Sequence, residues 1–386
     1  MKSEISIQSY MRDLNEFLAF SQGEFLSLKN SGKIEVTPRC VSCLSSAFFS
    51  DIRNGVCNKC SDSEHKKANV TSVQRESELL ALDDLLRSAI GRGHHHYDAL
   101  VMFSGGKDST YLLHKLRSDY PGLRLLAVTI DSGFASPIAI ENSRQVVARM
   151  DGVDSMIFRA KKSLFYSAFR HALTHLKPQT CYLTIDLLDG ELTFDIGRNL
   201  AASMRIPLFI AGTSSAQIRL LHNLNHFERP REIMLSKRTH TTGGYDIEEL
   251  SQAGDLHYWW DGTQWPEHQV PRNILPYHAW DYDESFVKEE VIRLGYLEPG
   301  YDNPLATNNI LIPLMVNLDY ARYGYCGFEP EFSLLVREGK ASRDWWCNVF
   351  DAAAYLSESG RLFRDATAYA LSKLDLSAEQ VGLRYE

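Results

Sequence analysis

From residue 98 the chain alternates between two hydrophobic rhythms. Leu100 to Phe103 is an unbroken apolar run, which suits a strand buried on both faces. Tyr111, Leu112, Leu113 and Leu116 then recur at helical spacing. The same exchange repeats: strands over Leu123 to Ile130, Ser155 to Phe158 and Ile206 to Gly212, with helices over Ser136 to Met150, Leu164 to Leu176 and Glu191 to Met204. This rhythm predicts an α/β fold with a doubly wound parallel sheet, whose ligands bind beyond the carboxyl ends of the strands.

The flanks follow other patterns. Between residues 4 and 28, Ile5, Ile7, Tyr10, Met11, Leu14, Phe17 and Leu18 predict a helix packed on the main body. Residues 61 to 76 are polar and mixed in charge, and read as a linker before a helix over Glu76 to Ile90. Residues 226 to 273 break the rhythm with Arg229-Pro-Arg231, Lys237-Arg238 and the aromatic cluster Tyr258-Trp259-Trp260. A long irregular stretch there reads as a substrate lid or as plain surface. Helical patterns return over Glu284 to Leu294, Asn309 to Tyr323, Glu331 to Arg337, Trp345 to Leu356 and Gly360 to Leu374. The expected organisation is an N-terminal helix (1–36), a cysteine knuckle (37–65), an α/β domain (77–225), an insertion or lid (226–275) and a helical C-terminal region (276–386).

Composition narrows the class. A chain of 386 residues expects two or three domains, or one core with appendages. Hydrophobic residues at 44% and charged residues at 23% are ordinary for a globular protein. The net charge of −8 argues against a broad nucleic-acid surface, though a local basic patch is compatible with it. No apolar run reaches the ~18–20 residues that span a bilayer, and the start Met1-Lys-Ser-Glu-Ile lacks a signal-peptide pattern. Seven cysteines, four of them in paired spacing, suit a reducing cytoplasm and a metal site better than disulfides.

Two motifs carry chemistry. Ser104-Gly105-Gly106-Lys107-Asp108-Ser109 follows the first strand and opens a helix. Adjacent glycines let backbone N–H groups converge, the helix N-terminus favours negative charge, and Lys107 adds a cation: together these make a phosphate cradle. Cys40-Val-Ser-Cys43 and Cys57-Asn-Lys-Cys60, separated by thirteen residues, can close a tetrathiolate site. Structural zinc is expected, since four protein ligands leave no open position; an iron–sulfur cluster uses the same donor set. Smaller signals are Thr129-Ile-Asp-Ser-Gly133 and Gly212-Thr-Ser-Ser215 at two further strand ends. Asp131 there reads equally as a ligand contact or a turn cap. His94-His95-His96 reads as a solvated loop, because consecutive side chains do not converge.

The loop differs from the Gly-x4-Gly-Lys-Ser/Thr nucleotide loop. It resembles the pyrophosphate loop of the N-type ATP pyrophosphatases, the PP-loop superfamily, with an adenine nucleotide alpha hydrolase-like fold. The order of parts looks like the N-acetyl sugar amidotransferase group: a double knuckle, then Ser-Gly-Gly-Lys-Asp-Ser-Thr, then Phe286 to Gly295, Tyr323-Gly-Tyr325 and Val336 to Arg343. The resemblance spans roughly residues 40 to 345. It implies ATP with Mg2+ on Ser104, Gly105, Gly106, Lys107, Asp108 and Ser109. Lys107 and Asp108 stand at the chemistry, Asp131 and Ser132 on the adenosine side, and Gly212 and Thr213 on the floor. It implies structural Zn2+ on Cys40, Cys43, Cys57 and Cys60.

The implied activity adenylates a carbonyl or amide oxygen of a small molecule, such as an N-acetyl sugar, and replaces it with nitrogen, releasing AMP and pyrophosphate. Ammonia would come from a separate glutaminase, because the chain has no cysteine at its start to serve as such a nucleophile. Cys181, in Pro178-Gln-Thr-Cys-Tyr-Leu, departs from that group. Sulfur-inserting members of the superfamily place a catalytic cysteine in this zone. The alternative is therefore thioamide or thiocarbonyl formation, or tRNA thiolation, with a sulfur donor protein; the bland reading of Cys181 is a small buried side chain. Trp259, Trp260 and Trp265 read as a stacking surface for the acceptor or as local core. The expected protein is cytoplasmic, independent of membranes, and free to form a homo-oligomer.

Overall fold

The computed structural model describes residues 7–65, 72–177, 183–214, 216–218, 241–242, 244–261, 263–302 and 309–383. The chain begins with helices α1 (Ile7–Gln22) and α2 (Glu24–Asn30). The knuckle follows as a hairpin, β1 (Ile52–Arg53) and β2 (Val56–Cys57), and then α3 (Asn58–His65). Asn54 and Gly55 connect the strands with φ of 51° and 80°. Positive φ at both central residues matches the right-handed twist of a two-residue hairpin, which is why Asn-Gly stands there. Helix α4 (Ser72–Ala89) leads into the sheet domain.

The sheet domain runs β3 (Ala99–Met102), α5 (Lys107–Asp119), β4 (Leu125–Asp131), α6 (Pro137–Arg149), β5 (Val153–Arg159), α7 (Lys162–Thr174), α8 (Leu183–Ser203) and β6 (Leu208–Ala211). After a small hairpin, β7 (Thr241–Thr242) with β8 (Tyr245–Asp246), and a short α9 (Ile247–Leu250), the chain adds β9 (Arg272–Ile274). Five strands lie parallel in the order β5-β4-β3-β6-β9. Every residue of β3, β4 and β6 is buried, as their continuous apolar runs require when both faces are covered. In the edge strand β5 only Val153 is buried; the other residues are half-buried or exposed, Ile157 among the exposed.

This order fixes where a ligand can sit. The chain winds outward from β3 through β4 to β5, then returns to place β6 on the other side of β3. The loops leaving β3 and β6 therefore diverge and open a crevice at the carboxyl end of the sheet.

The C-terminal region is helical: α10 (Glu284–Arg293), α11 (Ile312–Tyr323), α12 (Glu329–Arg337), α13 (Arg343–Glu358) and α14 (Arg364–Lys373). Asp283 caps α10 by accepting from Phe286 N at 2.8 Å, and Ser342 caps α13. Every residue of α11 from Ile312 to Tyr320 is buried, so this helix is the axis of the region. The N-terminal helix packs on the main body as its apolar stripe predicts: Phe17 meets Phe363 with ring centroids 5.3 Å apart, and Phe20 stacks on Tyr355. Among the described residues, no helix is long and apolar enough to cross a membrane.

Candidate nucleotide site and cysteine cluster

The Ser104–Ser109 loop lies at the crevice. Phe103 N still bonds Val128 O at 2.8 Å, and Thr129 Oγ1 donates to Phe103 O at 2.7 Å, so the strand is held to its last residue. Gly105 then turns with φ +75°. A Cβ there would stand 2.2 Å from the carbonyl oxygen of Ala139 in α6, so only glycine fits. Asn142 Nδ2 holds the Gly105 carbonyl at 2.9 Å. The hydroxyls of Ser104 and Ser109 meet at 3.2 Å, and Gly106 N donates to Ser104 Oγ at 3.3 Å. Gly106 is the N-cap of α5, with extended backbone and no side-chain cap. The positive end of α5 thus faces the crevice uncovered by its own cap residue. Gly212, just after β6, brings the far wall close: a Cβ on it would lie 3.1 Å from Ser109 Cα. Thr213 beside it is half-buried, and Ser214 Oγ accepts from Gln217 N at 3.2 Å.

Residues outside the motif close around Lys107 and Asp108. Lys107 is buried, with Nζ 2.9 Å from Asp108 Oδ2 and 3.8 Å from Glu284 Oε1. Burial would lower its pKa, but the charges of Asp108 and Glu284 outweigh burial and raise it, so Lys107 stays a cation. Tyr282 Oη donates to Asp108 Oδ1 at 2.7 Å, and Tyr277 Oη to Asp108 O at 2.7 Å. Helix α12 faces the same centre with Glu331, which bonds Gln217 and feels Lys107, Asp186 and Asp108. Burial pushes Glu331 up to about 8, Asp186 to about 6, and Asp189 to about 7, the last with help from the Asp186 charge. Asn309 donates to Asp189 at 3.0 Å. Lys107 is thus held between the carboxylates of Asp108 and Glu284, with Glu331 within its electrostatic reach. Sequence reasoning missed Tyr277, Tyr282, Glu284, Glu331, Asp186 and Asp189. Only the i, i+3 pair Asp186 and Asp189 carried a local signal, because the others arrive from far along the chain.

Asp131 and Ser132 end β4 and are both buried. Asp131 Oδ1 accepts from Gly133 N at 2.7 Å and Oδ2 from Arg159 Nε at 2.8 Å, while Ser132 Oγ accepts from Phe134 N. The carboxylate thus builds the Asp-Ser-Gly turn at the strand end. Trp259 and Trp260 are buried and serve as core; Trp265 is half-buried, packs against Ala202 and Trp260, and bonds Asn199 through Nε1 at 2.8 Å. His94, His95 and His96 lie exposed in the loop before β3. Cys181 lies outside the described residues, as do 226–240, 243 and 262 of the stretch read as insertion; the fifth strand, β9, comes from that stretch's far end.

The second centre is the knuckle. Cys40, Cys43, Cys57 and Cys60 are buried, and their Sγ atoms lie within 4.8 Å of one another. Cys40 and Cys60 sulfurs are 3.7 Å apart, and those of Cys43 and Cys57 3.8 Å. Backbone N–H groups point at the sulfurs: Cys57 N to Cys40 at 3.3 Å and Ser45 N to Cys43 at 3.4 Å. Burial alone would raise the Cys40 thiol, but the N–H groups of Cys57, Cys43 and Ser42 bring it down to about 6, whereas burial raises the Cys43 and Cys60 thiols. Arg337 Nη1 lies 3.6 Å from Cys43 Sγ, and Arg343 donates to the carbonyls of Cys40 and Cys43 at 2.8 and 2.7 Å. Four buried sulfurs with donors and a cation around them fit a bound metal, either zinc or an iron–sulfur cluster.

These features define an α/β protein with a five-strand parallel sheet, an N-terminal four-cysteine cluster and a helical C-terminal region. No family model and no curated protein matches the chain. Among solved structures it is similar to the U34-tRNA thiolase NcsA from Methanococcus maripaludis with its [4Fe-4S] cluster, at 14% identity and a TM-score of 0.33, over 91% of this chain and all of that one.

Proposed function

We propose that this chain is an ATP pyrophosphatase that adenylates a carbonyl or amide oxygen of a small molecule and replaces that oxygen with nitrogen, releasing AMP and pyrophosphate. The observation that carries the reading is the Ser104–Ser109 loop at the switch point of the sheet. Gly105 takes a conformation that only glycine fits, and it hands the chain to a helix that no side chain caps. The backbone N–H groups of Gly105 to Ser109 would hold the phosphates, Lys107 would neutralise their charge, and Asp108 would orient the Mg2+ that accompanies them. ATP supplies the AMP that turns a poor leaving group into a good one. Glu331, Asp186 and Asp189 offer carboxyl groups able to take a proton from an incoming amine near neutral pH.

The knuckle's proposed metal is structural zinc. Thiolates ~2.3 Å from one ion stand about 3.8 Å apart along a tetrahedron's edge. The Cys40–Cys60 and Cys43–Cys57 sulfur separations, 3.7 and 3.8 Å, support that spacing, whereas a cubane cluster spreads its ligands further. Cytoplasmic residence, a small-molecule acceptor and a glutaminase partner belong to the same proposal. Mass spectrometry of the product, made with ATP, an ammonia source and a sulfide or persulfide source by wild type and by Cys181→Ser, tests the nitrogen branch. The expected product exchanges oxygen for NH in both proteins. A product that gains sulfur, and stops forming in Cys181→Ser while ATP is still cleaved, overturns it.

A further inference from the structure

Lys107 faces two carboxylates, of which the loop supplies one. Asp108 is its chain neighbour, but Glu284 arrives from the first turn of α10, fixed there by the Asp283 cap. Glu284 is itself mostly buried; burial raises its carboxyl, and Asp108 and Asp302 oppose its charge while Lys107 and Lys288 support it. Tyr282, two residues before, lies 3.4 Å from Lys107 Nζ and bonds Asp108. The segment from Tyr282 to Glu284 thus covers the lysine where a phosphate chain would have to meet it.

We propose that Glu284 is a positioning residue of the nucleotide site: it holds Lys107 in place while the loop is empty and competes with the triphosphate for that cation, so it sets the affinity for ATP. This rests on the ATP-pyrophosphatase reading. A triphosphate seated on the loop brings several negative charges toward the Glu284 carboxylate, and like charges at that range repel strongly when solvent is excluded. Binding therefore costs the Lys107–Glu284 pair. A short carboxylate on a capped helix is well suited to this, since it withdraws by a side-chain rotation while α10 stays in place. The ligand class follows: the cost is met by nucleotides carrying β- and γ-phosphates, and much less by a monophosphate.

The test uses the full chain, with ATP and AMP titrated by calorimetry into wild type, Glu284→Gln and Glu284→Asp. Removing the charge while keeping the shape is expected to tighten ATP by roughly three- to tenfold, with AMP changed much less and Glu284→Asp close to wild type. In parallel, acylation of Lys107 in the nucleotide-free proteins is followed by peptide mass spectrometry and should be faster in Glu284→Gln. Unchanged or weaker ATP binding by Glu284→Gln, beside a wild type that binds ATP, overturns the role of Glu284 and leaves the ATP reading standing. Absence of ATP binding in all three proteins overturns both. Merely structural packing by Glu284 would lower thermal stability without separating ATP from AMP.

Discussion

Replacing Gly105 with alanine tests the loop at its least tolerant point. At φ +75° an alanine costs about 1–2 kcal/mol relative to glycine. Its Cβ would also stand 2.2 Å from Ala139 O and 3.0 Å from Ser143 N, both backbone atoms of α6 that no rotamer can move. Overpacking of this kind adds about 1–3 kcal/mol, so the total lies near 2–5 kcal/mol. In a chain of this length that is a fall in melting temperature of about 3–6 °C. Gly133→Ala is the control, because Gly133 has φ +81° with nothing within 4 Å of the added carbon; it carries the backbone strain alone. Thermal denaturation followed by circular dichroism should rank wild type above Gly133→Ala above Gly105→Ala. Calorimetric titration should show ATP binding weakened at least tenfold in Gly105→Ala only, since relief of the overlap re-aims the N–H groups. A Gly105→Ala protein that melts with the control and binds ATP like wild type would refute the cradle.

Two further expectations follow from the electrostatics. Asp98 is fully buried against Arg124; burial would raise its carboxyl, but bonds from Arg124 and the Gly93 and Arg124 N–H groups bring it down to about 2. A depressed folded pKa stabilises above the unfolded value of ~3.9 and is lost as pH falls through about 2. Asp98→Asn should therefore cost roughly 1–2 kcal/mol in urea unfolding at pH 7, given solvent around Arg124, with the difference from wild type vanishing near pH 2. Stripping the metal with a chelator and a thiol reagent should expose residues 39 to 60 and the Arg337–Arg343 corner to hydrogen exchange, while β3, β4 and β6 stay protected. Uniform exposure of the sheet would contradict a local structural role.

The sheet was legible because its inner strands are buried on both faces and are apolar except for Thr129 and Asp131 near the end of β4. The edge strand β5 runs longer than Ser155 to Phe158 suggests, since its solvent face admits Asp154 and hides the period. Strand β9 has three residues, Arg272-Asn-Ile274, and exists only through its pairing with Leu208 to Ile210. Helix α8 begins at Leu183 rather than Glu191, because Asp186, Asp189 and Gly190 read locally as a loop. Tertiary burial overrides that signal. The same limit hid half of the candidate site. Local spacing exposes the glycines of the loop and the paired cysteines. Glu284 and Glu331 are ordinary first-turn acids on amphipathic helices until the fold brings them to Lys107. Asp131 shows the converse: a residue placed at a strand end by pattern also works as a turn carboxylate bound to Gly133 N and Arg159.

The central claim is that the loop directs cleavage between the α- and β-phosphates. Phosphorus NMR of ATP turned over by the full chain with Mg2+ reads this directly. The expected products are AMP and pyrophosphate in equal amounts from wild type, and almost none from a folded Lys107→Ala protein, whose triphosphate loses its nearest fixed cation. ADP and inorganic phosphate as the main products, or undiminished cleavage by Lys107→Ala, would contradict the account.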